Sequence, residues 1–209
     1  MADIVLNHKH GADETEKVPA RKVDPNHRNE FVSEEEQIDA WTKFTFPGRK
    51  GKYSTFIWDW HSFTGISEDP EHIYLIHHEH SNGQWEQVPS GENGNYDYLM
   101  GADVEFRNPA VQKELKKWGR WYMKSTGTDG LRLDAVKHIP HEFFNDWLDY
   151  LRHYFKKDFL CIAEYWSQEL DSLLQYLDLT EGRMQLFDVP LHYNFHRASM
   201  SDSQFDMSK

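Results

Sequence analysis

Cysteine is nearly absent from this chain of 209 residues: Cys161 is the only one, so no internal disulfide can form. That scarcity leans the expected compartment toward a reducing, cytoplasmic one, with secretion of a longer protein left open. Long apolar runs are missing as well. None approaches membrane-spanning length, and no basic leader with an apolar stretch follows Met1, so neither a membrane anchor nor a signal peptide is expected. Basic charge is also in deficit, with 23 Lys+Arg against 35 Asp+Glu and a net charge of −12. Nucleic acid is excluded as a partner, because phosphate binding needs a basic stripe. A neutral or cationic partner, such as a calcium ion, suits the acid surplus. Internal repeats and low-complexity tracts are absent too.

What is present is the composition of a folded protein with a real core, 38% hydrophobic and 28% charged. Aromatic residues reach 15%, with eight Trp. Such rings stack on sugars, although filling a core is their commoner use.

The clearest patterns lie at the two ends. "DIVLNH" (3–8) reads as a short apolar strand opening onto Asn7 and His8. Residues 108–126 read as a helix, with Asn108 as N-cap, Pro109 in the first turn and an apolar stripe of Val111, Leu115, Trp118 and Tyr122. A strand at "GLRLDAVKH" (130–138) follows, then a helix from Pro140 carrying Phe143, Phe144, Trp147, Leu148 and Leu151. A strand "FLCIAE" (159–164), a helix from about Ser167 and a strand "MQLFDVP" (184–190) complete a run of βα units that predicts a parallel sheet. The residues between His8 and Asn108 differ: they are rich in turns, with at most a possible helix near Glu34 to Trp41. A crossover of that length predicts an inserted irregular or β-rich domain. The expected division is therefore 1–8 (barrel strand), 9–107 (insert) and 108–209 (barrel βα units).

Side chains alternate along a strand, so Leu131 and Leu133 face one way while Arg132 and Asp134 face the other. A guanidinium beside a carboxylate favours its ionised form. From these nine residues alone a structural Arg/Asp pair is the preferred reading. Asp134 and Glu164, however, both end apolar strands one βα unit apart, and active sites of parallel α/β barrels lie at such strand ends. Neighbouring strands would bring the two carboxyl groups to about 5–5.5 Å, the separation used by retaining glycosidases.

Three blocks in order, "DIVLNH", "GLRLDAVKH" and "AEYW", resemble those of the retaining α-amylases among the (β/α)8-barrel glycoside hydrolases. The insert, with "FPGR" and "GNYDYLMGADVEFRNP", is similar to that of the bacterial liquefying and intracellular α-amylases. The resemblance implies a partial (β/α)8 barrel, about the third to the sixth strand, with an inserted β-rich domain, and an α-glucan as partner. It implies Asp134 as nucleophile, Glu164 as acid/base and Arg132 as the arginine holding the nucleophile ionised. His8 would touch the sugar at the cleavage point, and Lys137, His138 and Trp166 would line the glucan cleft. It further implies a calcium ion held by Asn7, Asp97, Asp103 and the His138 carbonyl, clamping insert to barrel.

Two departures stand out. Where some liquefying enzymes hold further metals through a row of acids, this chain has Thr64, Glu105 and Arg107, and an arginine cannot ligate a cation. The family's third catalytic carboxylate, after the seventh strand, has no match, so an internal fragment is expected. A non-catalytic glucan- or calcium-binding remnant, or a transglycosylase of the same family, are the alternatives. "HHEH" (77–80) invites a transition-metal reading, but without a third ligand at a recognisable spacing a surface hairpin is expected. Cys161, inside an apolar strand, reads as packing.

Overall fold

The computed structural model describes residues 1–69, 71–201 and 205–206. Pro70 and the last residues of the 108–209 segment (202–204 and 207–209) lie outside the described residues. In chain order the strands are β1 (Ala2–Ile4), β2 (His8–Lys9), β3 (Glu14–Val23), β4 (Glu36–Lys43), β5 (Phe63–Asp69), β6 (His72–Ile76), β7 (Ala102–Val104), β8 (Gly130–Leu133), β9 (Leu160–Ala163) and β10 (Gln185–Leu186). The helices are α1 (Pro109–Thr126), α2 (His141–Phe155), α3 (Leu170–Leu179) and α4 (Val189–Met200).

Two sheets form. β1, β8, β9 and β10 pair in that order, all parallel, with Leu133 opposite Ile4 on one side and Ala163 on the other. Leu131, Leu133 and Ala163 are fully buried, whereas the alternating Arg132 is not, so the period-two pattern is realised in packing. The second sheet, β2-β7-β5-β6-β3-β4, is antiparallel and drawn wholly from residues 8–104.

α1 begins where Asn108 accepts a hydrogen bond from the Ala110 amide, with Pro109 in the first turn, and ends at Gly127 in the left-handed region (φ 64°). It packs on α2 through a close approach at Gly119, where an added Cβ would lie 2.6 Å from the Trp147 ring. Trp147 is fully buried and its indole N–H donates to the Leu115 carbonyl at 3.1 Å.

Four local expectations are corrected. The possible helix near Glu34 to Trp41 is strand β4: Ala40 and Thr42 are buried while Asp39 and Trp41 are exposed, a period of two. The 3–8 strand ends at Ile4, and His8 crosses to the second sheet opposite Asp103. The 184–190 strand shortens to Gln185–Leu186, because Asp188 caps α4 by accepting from the Leu191 amide. Residues 77–86 form a turn, not a surface hairpin. His78 is buried there, with its Nε2 bonded to the Phe63 carbonyl at 2.9 Å and its Nδ1 accepting from the His80 and Ser81 amides, so both ring nitrogens are already used.

Candidate active site

Asp134 and Glu164 each stand one residue beyond their strands, at the same level, because Leu133 and Ala163 are register partners. The ladder continues through both: the Glu164 amide donates to the Leu133 carbonyl and the Asp134 amide to the Ile4 carbonyl, each at 2.9 Å. Ala135 then adopts a left-handed conformation (φ 51°) that turns the chain into a short helical turn, Val136–His138. That turn closes on the next strand end through the Val136 amide and the Glu164 carbonyl at 3.1 Å.

One guanidinium joins the two acids. Arg132 Nη1 donates to Asp134 Oδ1 and, at 2.9 Å, to Asp3 Oδ1, while Nη2 donates to Glu164 Oε2 at 2.5 Å. Burial pulls the Arg132 pKa down, but hydrogen bonds to Asp134 and Asp3 and the charges of Glu164 and Asp134 outweigh it and move it above the ordinary arginine value. Both carboxylates keep about a fifth of their side-chain surface open, 22% for Asp134 and 23% for Glu164, so a ligand can reach them.

The remaining predicted residues surround this centre at two depths. His8, half-buried, has Nδ1 3.2 Å from Asn7 Oδ1. Burial and the neighbouring His10 lower its pKa, against the opposing charge of Asp134. Trp166 is exposed, with its indole N–H 3.2 Å from the Tyr193 hydroxyl and its ring beside His192. Lys137 and His138 lie deeper. The Lys137 ammonium donates to Glu92 Oε1 and to the Trp166 carbonyl, each at 2.8 Å. His138 Nδ1 donates to the Tyr96 carbonyl at 2.6 Å, and burial pushes its pKa down to about 4, which leaves the ring neutral. These two side chains therefore join the insert to the ends of β8 and β9. Sequence reasoning missed Asp3, Glu92, Tyr96 and Tyr193. Asp3 had a signal, being the β1 register partner of Arg132, but that register exists only in the folded sheet.

Asn7, Asp97 and Asp103 are each about 1% exposed. Asn7 Nδ2 lies 3.1 Å from Asp103 Oδ1 and 3.2 Å from the His138 carbonyl. A half-turn of that amide would present its oxygen instead, so that three oxygens converge at the spacing a calcium ion spans with bonds of about 2.3–2.6 Å. Asp103 Oδ2 is buried without a hydrogen-bond partner. Burial, together with the charges of Asp97 and Glu105, drives the Asp103 carboxyl well above the usual range, and burial brings Asp97 to about 7. Buried acids in this condition are what a divalent cation relieves, and the donor set fits calcium. The oxygens that come together are those of Asn7, Asp103 and the His138 carbonyl, while Asp97 acts on Asp103 through its charge and accepts from the Glu86 amide at 2.9 Å; among the described residues no three His, Cys, Asp or Glu side chains gather as a metal site. The positions matching further metals do not fit one. Thr64 Oγ1 is 3.4 Å from Glu105 Oε2, and Glu105 is gripped by Arg107 at 2.7 and 2.6 Å.

Residues 1–208 match the sequence profile described as alpha amylase, catalytic domain. The chain is 46% identical over 207 residues to the alpha-amylase of Bacillus licheniformis, covering 99% of this chain and 40% of that protein. It is 42% identical over 213 residues to the cytoplasmic alpha-amylase of Escherichia coli (strain K12), covering 100% and 43%. With the alpha-amylase of Geobacillus stearothermophilus it shares 48% over 208 residues, covering 99% and 38%. The chain thus spans about two fifths of the length of these curated relatives. With paired carboxylates at adjacent strand ends and a profile match over nearly its whole length, the chain belongs to the alpha-amylase catalytic-domain family, and its parallel sheet is part of a (β/α)8 barrel.

Proposed function

We propose that this chain carries the nucleophile and the acid/base of a retaining α-amylase, which hydrolyses internal α-1,4 bonds of starch- or glycogen-type glucans. The observation that carries the reading is the single guanidinium of Arg132 shared between Asp134 and Glu164. In the first step an Asp134 oxygen attacks the anomeric carbon while the Glu164 proton passes to the glycosidic oxygen, whose bond to that carbon breaks. Ester formation removes the Asp134 charge, and Glu164, having given its proton to the leaving oxygen, is now a carboxylate. That carboxylate takes a proton from water, the water oxygen attacks the anomeric carbon, and the ester bond to Asp134 breaks with net retention.

In this reading His8 and Trp166 touch the sugars, which the exposure of the Trp166 ring supports. Lys137 and His138 position that rim, holding the Trp166 carbonyl and the Tyr96 loop. Asn7, Asp97, Asp103 and the His138 carbonyl would hold a calcium ion, which supplies positive charge to the buried acids between the two sheets.

The test is incubation of the purified chain with soluble starch in calcium, and separately with an α-maltosyl fluoride, whose departing fluoride needs no acid. Hydrolysis that disappears in Glu164→Gln, and a glycosyl ester found by mass spectrometry on the peptide containing Asp134, support the reading. A chain that neither cleaves starch nor forms that ester favours the alternative of a glucan- or calcium-binding remnant. Transfer to added maltose in place of water would mark a transglycosylase.

A further inference from the structure

We infer that Arg107 is a built-in cation: its guanidinium occupies an oxygen cage formed by Glu86, Glu105 and the 81–85 turn, and removing it creates a site for a hard divalent cation such as calcium. The cage is assembled from two segments of the insert. Glu86 and Glu105 are buried to 1% and 0% exposure. Arg107 grips Glu105 with two parallel hydrogen bonds, Nε to Oε1 at 2.7 Å and Nη2 to Oε2 at 2.6 Å, and its Nε lies 3.7 Å from Glu86 Oε1. The same group donates to three carbonyls, Gln84 at 3.0 Å, Trp85 at 3.4 Å and Ser81 at 3.5 Å. Every contact named is to oxygen, from two carboxylates and three carbonyls, the donor chemistry that calcium takes six to eight at a time.

The backbone tightens the same cage. The Phe106 and Arg107 amides both donate to Glu86 Oε1, at 2.5 and 3.0 Å, and the Arg107 amide also donates to Glu105 Oε1 at 2.8 Å. Glu86 Oε2 is buried with no N–H donor; the Glu86 carboxyl, which the guanidinium approaches but does not grip, shares a hydrogen bond with the Glu105 carboxyl instead. The Arg107 side chain keeps 32% of its surface exposed, so an ion could enter where the guanidinium now sits. A guanidinium matches a carboxylate bidentately and stays protonated at any ordinary pH. Tethered through Arg107, it can be neither chelated nor diluted away, so the 81–86 turn is held to the start of α1 at any calcium concentration.

The experiment compares the wild-type chain with Arg107→Asn, which replaces the cation by a neutral oxygen donor, and Arg107→Lys, which keeps the charge. Bound calcium per chain is counted by equilibrium dialysis, and melting temperature is recorded in chelator and in millimolar calcium. Arg107→Asn is expected to bind one more calcium than wild type and to gain more melting temperature from calcium, whereas Arg107→Lys keeps the wild-type count. The readout is a difference from wild type, so it stands whether or not Asn7, Asp97 and Asp103 hold calcium. An Asn variant with the wild-type count and calcium response overturns the inference, as does one that stays unfolded in millimolar calcium.

Discussion

Arg132 draws on carboxylates from three strands, Asp3, Asp134 and Glu164, and a change at any of these side chains alters the charge felt by the others. In a protein active as proposed, Glu164→Gln keeps the shape and removes only the transferable proton. Starch turnover should fall by about 10²–10⁴-fold, with an unchanged circular dichroism spectrum; near-normal turnover would contradict the acid/base role. Cys161 makes the opposite case. It is 2% exposed, and burial pushes its thiol from about 9 up to about 12. The folded protein should resist a thiol-specific reagent at pH 8 and react fully in denaturant. The linkage sign follows: between about pH 9 and 12 the unfolded thiol loses its proton while the folded one keeps it. Its contribution to stability therefore falls as pH rises through that window. Cys161→Val should flatten the alkaline limb of a stability curve while leaving activity intact.

At the scale of elements, the contact of α1 with α2 depends on a missing side chain. Gly119→Ala raises helix propensity by about 1 kcal/mol but sets a methyl group 2.6 Å from the fully buried Trp147. Overpacking costs about 1–3 kcal/mol, so a net loss of stability is expected in denaturant titration, and a gain would refute the close packing. Asn108 both caps α1 and donates to the His61 carbonyl at 3.0 Å, tying the helix start to the insert. Asn108→Ala should cost about 1–2 kcal/mol, measured the same way. Glu34 to Trp41 holds good helix formers, yet the alternation of Ala40 and Thr42 with Asp39 and Trp41 decided the outcome, because burial against β3 outweighs propensity.

For the whole molecule, the two sheets meet through Asn7, His138, Lys137 and their partners, with acids buried beneath. An ion bound only to the folded state stabilises it by about 2.7 kcal/mol at a hundredfold excess over its dissociation constant. For a chain of this size that corresponds to roughly 5–10 °C of melting temperature. Chelation should lower the wild-type melting temperature by about that amount, and Asp103→Asn should abolish the difference. A melting temperature indifferent to chelator would count against calcium at Asn7, Asp97 and Asp103. Among the described residues no helix is long and apolar enough to cross a membrane.

The sequence by itself determined the βα rhythm, the capped start of α1, and the Arg132–Asp134 and Glu164 strand ends. All three rest on local rules: alternation along a strand, 3.6-residue periodicity, and the chemistry of Asn and Pro at a helix start. Tertiary structure alone decided that Arg132 also reaches Asp3, that Lys137 and His138 turn inward to Glu92 and Tyr96, and that Arg107 also approaches Glu86. These contacts join residues 21 to 129 positions apart. Their partners are selected by sheet register and by the need to neutralise buried charge, which no local stretch of sequence encodes.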